Sequence, residues 1–222
     1  MSINRFPLTL LQPLRNLDTH TTQWESVYMR VFLAALVLIF SFQSWTKADD
    51  IRDFEIEGMS IGDSLLDYFS EEEIKNHNED NYYNWVKDKK KFTVMEILGH
   101  KNFRTFDGMQ LTYKKNDPNY IIYEINGILT FKNKIKECKS KMKDISKDVE
   151  DMFDNLQKTK KNNETHPDDP SGKSKVFKIV YWFPSGDLIG IKCYDWSKSK
   201  GYADHLKFQL KTKEFNEWLT PG

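Results

Sequence analysis

Two cysteines, seven prolines and no surplus of charge of either sign leave this 222-residue chain short of most functional signatures. Its 33 basic and 33 acidic residues cancel. Without a basic excess to displace counterions from phosphates, no nucleic-acid partner is expected. There is no Gly-x-Ser-x-Gly, no phosphate-cradling glycine loop and no His-Glu-x-x-His, so no familiar catalytic constellation is present. His77, His100, His166 and His205 are not paired at metal-ligand spacing, and neither Cys138 nor Cys193 has a nearby cysteine. No metal and no cofactor is therefore expected.

A long hydrophobic run is missing too. The apolar stretch from Val31 to Phe42, broken only by Ser41, reaches roughly 18 Å as a helix, against a hydrocarbon core of about 30 Å. Arg30 precedes it, and Lys47-Ala48-Asp49-Asp50 follows. A basic start, a short apolar centre and a small residue before a polar segment describe a secretory signal peptide over residues 29–48, cut between Ala48 and Asp49. No cysteine follows the run, which argues against a lipid-modified signal. Residues 1–28 are long for a polar preface, and Met29-Arg30 makes a compact start, so 1–28 read as a mis-assigned or disordered extension. The alternatives are an uncleaved signal anchor, which would make this a membrane-tethered structural protein, or a buried core helix. With cleavage, the protein is extracytoplasmic, either periplasmic or secreted, and touches the membrane only through its signal. Residues 1–48 carry Arg5, Arg15, Arg30 and Lys47 against Asp18 and Glu25, so residues 49–222 keep 29 basic and 31 acidic side chains, a net charge of −2.

Export gives the cysteines meaning. In an oxidising compartment an isolated pair invites a disulfide, and closing a loop of this length constrains the unfolded chain by about 4 kcal/mol. The other reading is two reduced, buried thiols packing as small hydrophobes.

Residues 49–222 read as one α+β domain. Alternating or apolar runs predict strands at 91–98, 108–115, 120–131, 175–183, 188–196 and 205–212, after a short strand at Phe54 and Ile56. Ile135, Cys138, Met142, Ile145, Val149, Met152 and Leu156 step by three and four and predict a long helix over roughly 133–157. Ser64 or Asp63, Ser70 with Glu73, and Thr212 are capping residues for shorter helical pieces. The expected fold is an antiparallel sheet of two three-stranded meanders, with one long and two short helices packed on it. Residues 158–174, polar and interrupted by Pro167 and Pro170, are expected to be a flexible loop; Asn163 there begins an Asn-Glu-Thr sequon.

Phe177, Ile179, Tyr181 and Phe183 share one face of the last meander with Ile189, Ile191, Cys193, Leu206, Phe208 and Leu210. The opposite face carries Val180, Trp182, Tyr194 and Trp196, where polar residues are expected. Exposed aromatics can mark a binding surface. Trp182, Tyr194, Trp196 and Tyr202 are the candidate binding residues, unless another element, such as the terminal helix with Phe215 and Trp218, covers that face. The loop 194–206 also gathers Asp195, Ser197, Lys198, Tyr202, Asp204 and His205, from which an acid-base site could be assembled.

The segments "FEIEGMSIGDSLLDYFSEEEI", "CYDWS" and "DHLKFQL" resemble a group of small exported bacterial proteins with no assigned activity. "EGMSIGDSLLDYF" is also similar to the Gly-Met-Ser/Thr helix start of small outer-membrane assembly lipoproteins, although this chain lacks their lipidation cysteine. The first resemblance implies export and no catalytic residues. The leading expectation is a soluble binding or structural module of the cell envelope, whose partner is an envelope component or another exported protein. The alternative is an extracytoplasmic hydrolase or transferase using residues 194–206. Oligomeric state is not legible.

Overall fold

In the computed structural model, residues 50–154 and 156–220 are described; residues 1–28, the expected signal segment 29–48 and the expected cleavage pair Ala48 and Asp49 lie outside them. The strands are β1 (Phe92–Leu98), β2 (Gly108–Lys114), β3 (Ile122–Thr130), β4 (Gln157–Thr165), β5 (Lys175–Trp182), β6 (Leu188–Asp195) and β7 (His205–Lys211). The α-helices are α1 (Glu71–Asn76), α2 (Ile135–Met152) and α3 (Lys213–Leu219), with 3-10 turns at Ile51–Asp53, Leu65–Asp67 and Lys198–Lys200.

The chain is α+β, and its sheet is antiparallel throughout, but the two expected meanders fuse into one seven-stranded sheet in the order β1-β2-β3-β7-β6-β5-β4. Fusion runs through β3 and β7, which pair from Glu124↔Lys211 to Thr130↔His205. The seventh strand corrects the expected loop at 158–174: Gln157–Thr165 pairs with β5 as an edge strand. Its sequence, QKTKKNNET, has no apolar residue to alternate, so backbone hydrogen bonding to β5 makes the strand rather than burial of side chains. Lysines on an outer edge also discourage pairing with a further chain. Asn163 sits at the irregularity between Lys161 and Glu164, with φ 62°.

The first face of the sheet is dry. Met95, Ile97, Met109, Leu111, Ile125, Phe177, Ile179, Tyr181, Ile189, Ile191, Cys193, Leu206, Phe208 and Leu210 form one core with the N-terminal segment and α2. Ile51, Ile56, Met59, Ile61, Leu65 and Ile74 belong to the same core. The expected strand at Phe54 and Ile56 is instead a single bridge, Ile56↔Met59. Ser64 caps the 3-10 turn Leu65–Asp67, and Ser70 with Glu73 completes the capping box of α1. Helix α2 is shorter than its periodicity predicts. Lys132 and Asn133 are left-handed (φ 41° and 67°), and Phe153 is extended, so the helix is confined to Ile135–Met152. Phe153 then packs edge-on against Phe183, 5.2 Å between ring centroids. Cys138 of α2 is bonded to Cys193 of β6, with Cα atoms 6.0 Å apart. Of the two readings of the cysteines, the disulfide is the one present.

The second face is divided. Over β1 and β2, Phe92 and Val94 are buried beneath Tyr83, Val86, Phe215 and Trp218. Thus α3 packs on the opposite face from α2, while Tyr194 and Trp196 pack against His166, Tyr202 and His205 rather than against it. A bulge in β3 assists: Thr112 pairs with Glu124 and Tyr113 with Ile122, leaving Tyr123 without an opposite number. Tyr123 consequently joins this second cluster, 5.2 Å from the Phe92 ring. Over β5, β6 and β7 the second face lies outside that cluster: Val176 and Leu188 are buried at its two ends, and Lys178, Lys192, Tyr194, Trp196 and Lys207 between them are partly buried. Among the described residues no helix is long and apolar enough to cross a membrane.

Candidate functional site

Each of the last three strands carries a lysine between two core residues: Phe177-Lys178-Ile179, Ile191-Lys192-Cys193 and Leu206-Lys207-Phe208. With the flanking residues turned to the core, alternation turns the lysine to the second face. Register then aligns them. The tight turn at Pro184–Asp187, with Gly186 at φ 91°, pairs Lys178 with Lys192; Lys192 pairs with Lys207; and β4 adds Lys161 opposite Lys178. Four lysines therefore cross four adjacent strands in one row, about 4.8 Å from strand to strand. Like charges directly opposite one another are destabilising.

Two neighbours in the row have partners. Lys178 is ion-paired to Glu164 at 2.6 Å, and Glu164 also lies 3.4 Å from Lys161. Lys207 donates to Gln110 Oε1 at 2.8 Å. Lys192 has no hydrogen bond or ion pair among the described residues. It is half-buried, and desolvation, reinforced by Lys211 and Lys207, holds its ammonium well below the ordinary lysine range.

Beside the row is a buried polar network. Lys211 and Glu124 are ion-paired at 3.2 Å with side chains only 9% and 4% exposed. Thr112 donates to Glu124 at 3.1 Å, and the Tyr83 and Thr112 hydroxyls are 2.6 Å apart. Gln209 donates to Asn126 Oδ1 at 2.6 Å, while its own amide oxygen is buried without a partner. Gly190 lies beneath that oxygen: a Cβ there would come within 3.2 Å of it. Tyr82 reaches down from the 79–90 segment to donate to Gln110, which also bonds Glu96.

On the other flank stand aromatic rings. Tyr194 stacks on His205 at 4.6 Å and lies parallel to Trp196 at 6.1 Å. His166 is 4.3 Å from Trp196, and Tyr202 meets Trp196 edge-on at 4.9 Å. Lys207 Nζ is 5.9 Å from the Tyr194 ring centre. Burial pushes the Tyr194 hydroxyl up and both His166 and His205 down, which keeps these rings neutral near pH 7. Of the four aromatics picked out in the sequence, Tyr194, Trp196 and Tyr202 therefore form one cluster. Trp182 does not join it. It lies at the far end of β5, opposite Leu188, whereas Tyr194 sits opposite Val176.

Asp169 fixes this aromatic flank. Its carboxylate accepts from the Ser171 and Ser174 amides and hydroxyls and from the Ser197 hydroxyl, while Ser174 Oγ accepts from the Ser197 amide. The 166–174 and 196–202 loops are tied together there, which sets His166 against Trp196. The serine hydroxyls, then the amides, hold the Asp169 carboxyl far below the usual aspartate value of 3.8. A depressed folded value gives a contribution that is present above the unfolded value and lost as pH falls through the folded one. Asp169→Asn is accordingly expected to lower the denaturation midpoint at pH 7, with the gap from wild type narrowing well below pH 3.8. Urea titrations at both pH values measure this, and a gap independent of pH would contradict it.

The acid-base candidates of 194–206 are engaged otherwise. Asp204 accepts from the Trp196 amide, His205 Nδ1 lies 3.0 Å from the Ala203 carbonyl, and Ser197 bonds Asp169 and Ser199. No hydroxyl of this loop bonds to Asp204 or His205 among the described residues. Burial, and Asp204 nearby, raise the Asp195 carboxyl. What sequence reasoning missed is the lysine row; the three apolar-Lys-apolar triplets were its available signal.

No protein-family model, curated protein or solved structure matches the chain.

Proposed function

We propose that residues 49–222 form an extracytoplasmic binding module, and that the uncovered half of the second sheet face is its working surface. One observation carries the reading. Half of that face is buried beneath Tyr83, Phe215 and Trp218, while the other half carries aligned, partly buried lysines beside Tyr194, Trp196 and the exposed Tyr202, outside that aromatic cluster. A sheet face built only for stability would not oppose like charges across successive strands. The disulfide supports an oxidising compartment, because such bonds are rare where thiols are kept reduced. The partner is an envelope component or another exported protein.

Affinity capture from envelope extract tests this with paired variants. Tyr202, 61% exposed, can be changed to serine without opening the core. Wild type and Lys143→Met, on the outer side of α2, are expected to retain the same component, and Tyr202→Ser combined with Lys207→Gln is expected to lose it. Retention unaffected by the face variant, with the fold intact by circular dichroism, would place the working surface elsewhere.

A further inference from the structure

We propose that Lys192 anchors an oxyanion site on this surface, and that the site takes the phosphate of a small phosphomonoester. The inference rests on the uncovered half-face being the working surface, and it adds the chemistry of the ligand.

Position comes first. Lys192 is one of the two inner members of the row, with Lys178 and Lys207 directly to either side, one strand away. Those two have partners in Glu164 and Gln110, and Lys192 has none among the described residues. An unpaired, half-buried ammonium between two others favours a negatively charged partner.

The local charge sets the ligand's valence. Lys161, Lys178, Lys192, Lys207 and Lys211 lie on this face, against Glu164, Glu124 and Glu96. With Lys192 protonated, as it is once an anion is bound, these five cations against three carboxylates leave a surplus of two positive charges. A phosphomonoester carries about −1.5 to −2 at pH 7 and so matches that surplus; a carboxylate or a sulfate ester carries only about −1. Two residues from Lys192 on the same strand is the side-chain-free Gly190, and above it the buried amide oxygen of Gln209 is an acceptor with no donor among the described residues. A hydroxyl of the bound ester can serve as that donor. The Tyr194 ring, two residues along the same strand face, is the surface against which the ester's organic part can lie.

The groups facing Lys192 also predict a proton linkage. Lys207 and Lys211 from β7 and Lys178 from β5 oppose its charge, and Glu124 from β3 favours it. Burial is the largest influence and opposes it too. A bound dianion reverses the balance, so binding should draw a proton onto Lys192.

Calorimetric titration of the oxidised protein with phenyl phosphate, phenyl sulfate and benzoate is the test, run in two buffers of different ionisation heat. The expected result is one-to-one binding of phenyl phosphate, tighter than either monoanion, with net proton uptake. Lys192→Met should weaken it about tenfold or more, the loss of a charge-assisted contact. Lys143→Met should leave it unchanged. Lys192→Arg, which stays charged, should bind without proton uptake. NMR of the lysine ε-methylene signals gives a reading independent of any variant's folding: phosphate should raise the titration midpoint of Lys192 alone among the row. No binding by wild type, or equal binding by Lys192→Met, overturns the oxyanion site. If phosphate fails while Tyr202→Ser with Lys207→Gln still loses the captured component, only the ligand chemistry falls. If both fail, the surface itself is wrong.

Discussion

Lys211→Met is expected to destabilise the protein by about 3–5 kcal/mol, the penalty for leaving one partner of a buried ion pair unpaired. Glu124 is 4% exposed in its side chain, and Lys211 is the cation that neutralises it. Among the described residues its other oxygen accepts only from neutral hydroxyls, Thr112 at 3.1 Å and Tyr83 at 3.4 Å. Those bonds satisfy lone pairs without cancelling charge. Removing both charges, Glu124→Gln with Lys211→Met, should cost distinctly less than the two single changes added together, because no isolated charge then remains. Urea unfolding of the four proteins closes the cycle. Additive losses would mean that the pair is screened by solvent, and that this part of the second face is wetter than its burial indicates.

Breaking the disulfide is expected to cost about 4 kcal/mol by the chain-entropy relation for its loop. Cys138 and Cys193 are 55 residues apart in sequence. The bond ties α2 to β6, the strand that presents Lys192 and Tyr194 on its other face. Cys138→Ser with Cys193→Ser should therefore lower the unfolding midpoint sharply, and a reductant should do the same to wild type but nothing to the variant. Equal midpoints with and without reductant would remove the stabilising role of the bond.

The parts of the fold legible in the sequence are those with an apolar period. Phe177, Ile179 and Tyr181 alternate with Lys178 and Val180, and β5 lies where that pattern puts it. The same holds for β6 and β7, and the stripe from Cys138 to Val149 marks α2. Strand β4 was illegible because Gln157–Thr165 buries almost nothing; its strand character comes from a partner, not from its own side chains. Fusion of the two meanders was equally hidden, since Ile125↔Leu210 is a long-range pairing that no local pattern announces.

The site divides in the same way. Tyr194 and Trp196 could be read as outward-facing from alternation alone, and Tyr202 follows on the adjoining loop. Trp182 obeys the same alternation but sits at the other end of its strand, so shared face did not mean shared place. The row from Lys161 to Lys207 depends on four registers at once, and the coupling of Lys211 to Glu124 depends on β3 meeting β7. Asp169, inside a stretch expected to be loose, emerged as a fastener only through its contacts with Ser171, Ser174 and Ser197.

The claim tested most directly is that the uncovered half-face meets the partner. Amide chemical-shift mapping of the oxidised protein, titrated with the component recovered from envelope extract, locates the contact residue by residue. Shifts concentrated at Lys178, Lys192, Tyr194, Trp196, Tyr202 and Lys207 are the predicted result. Shifts concentrated on the outer surface of α2 or along the β1 edge, with β5 to β7 silent, would contradict it.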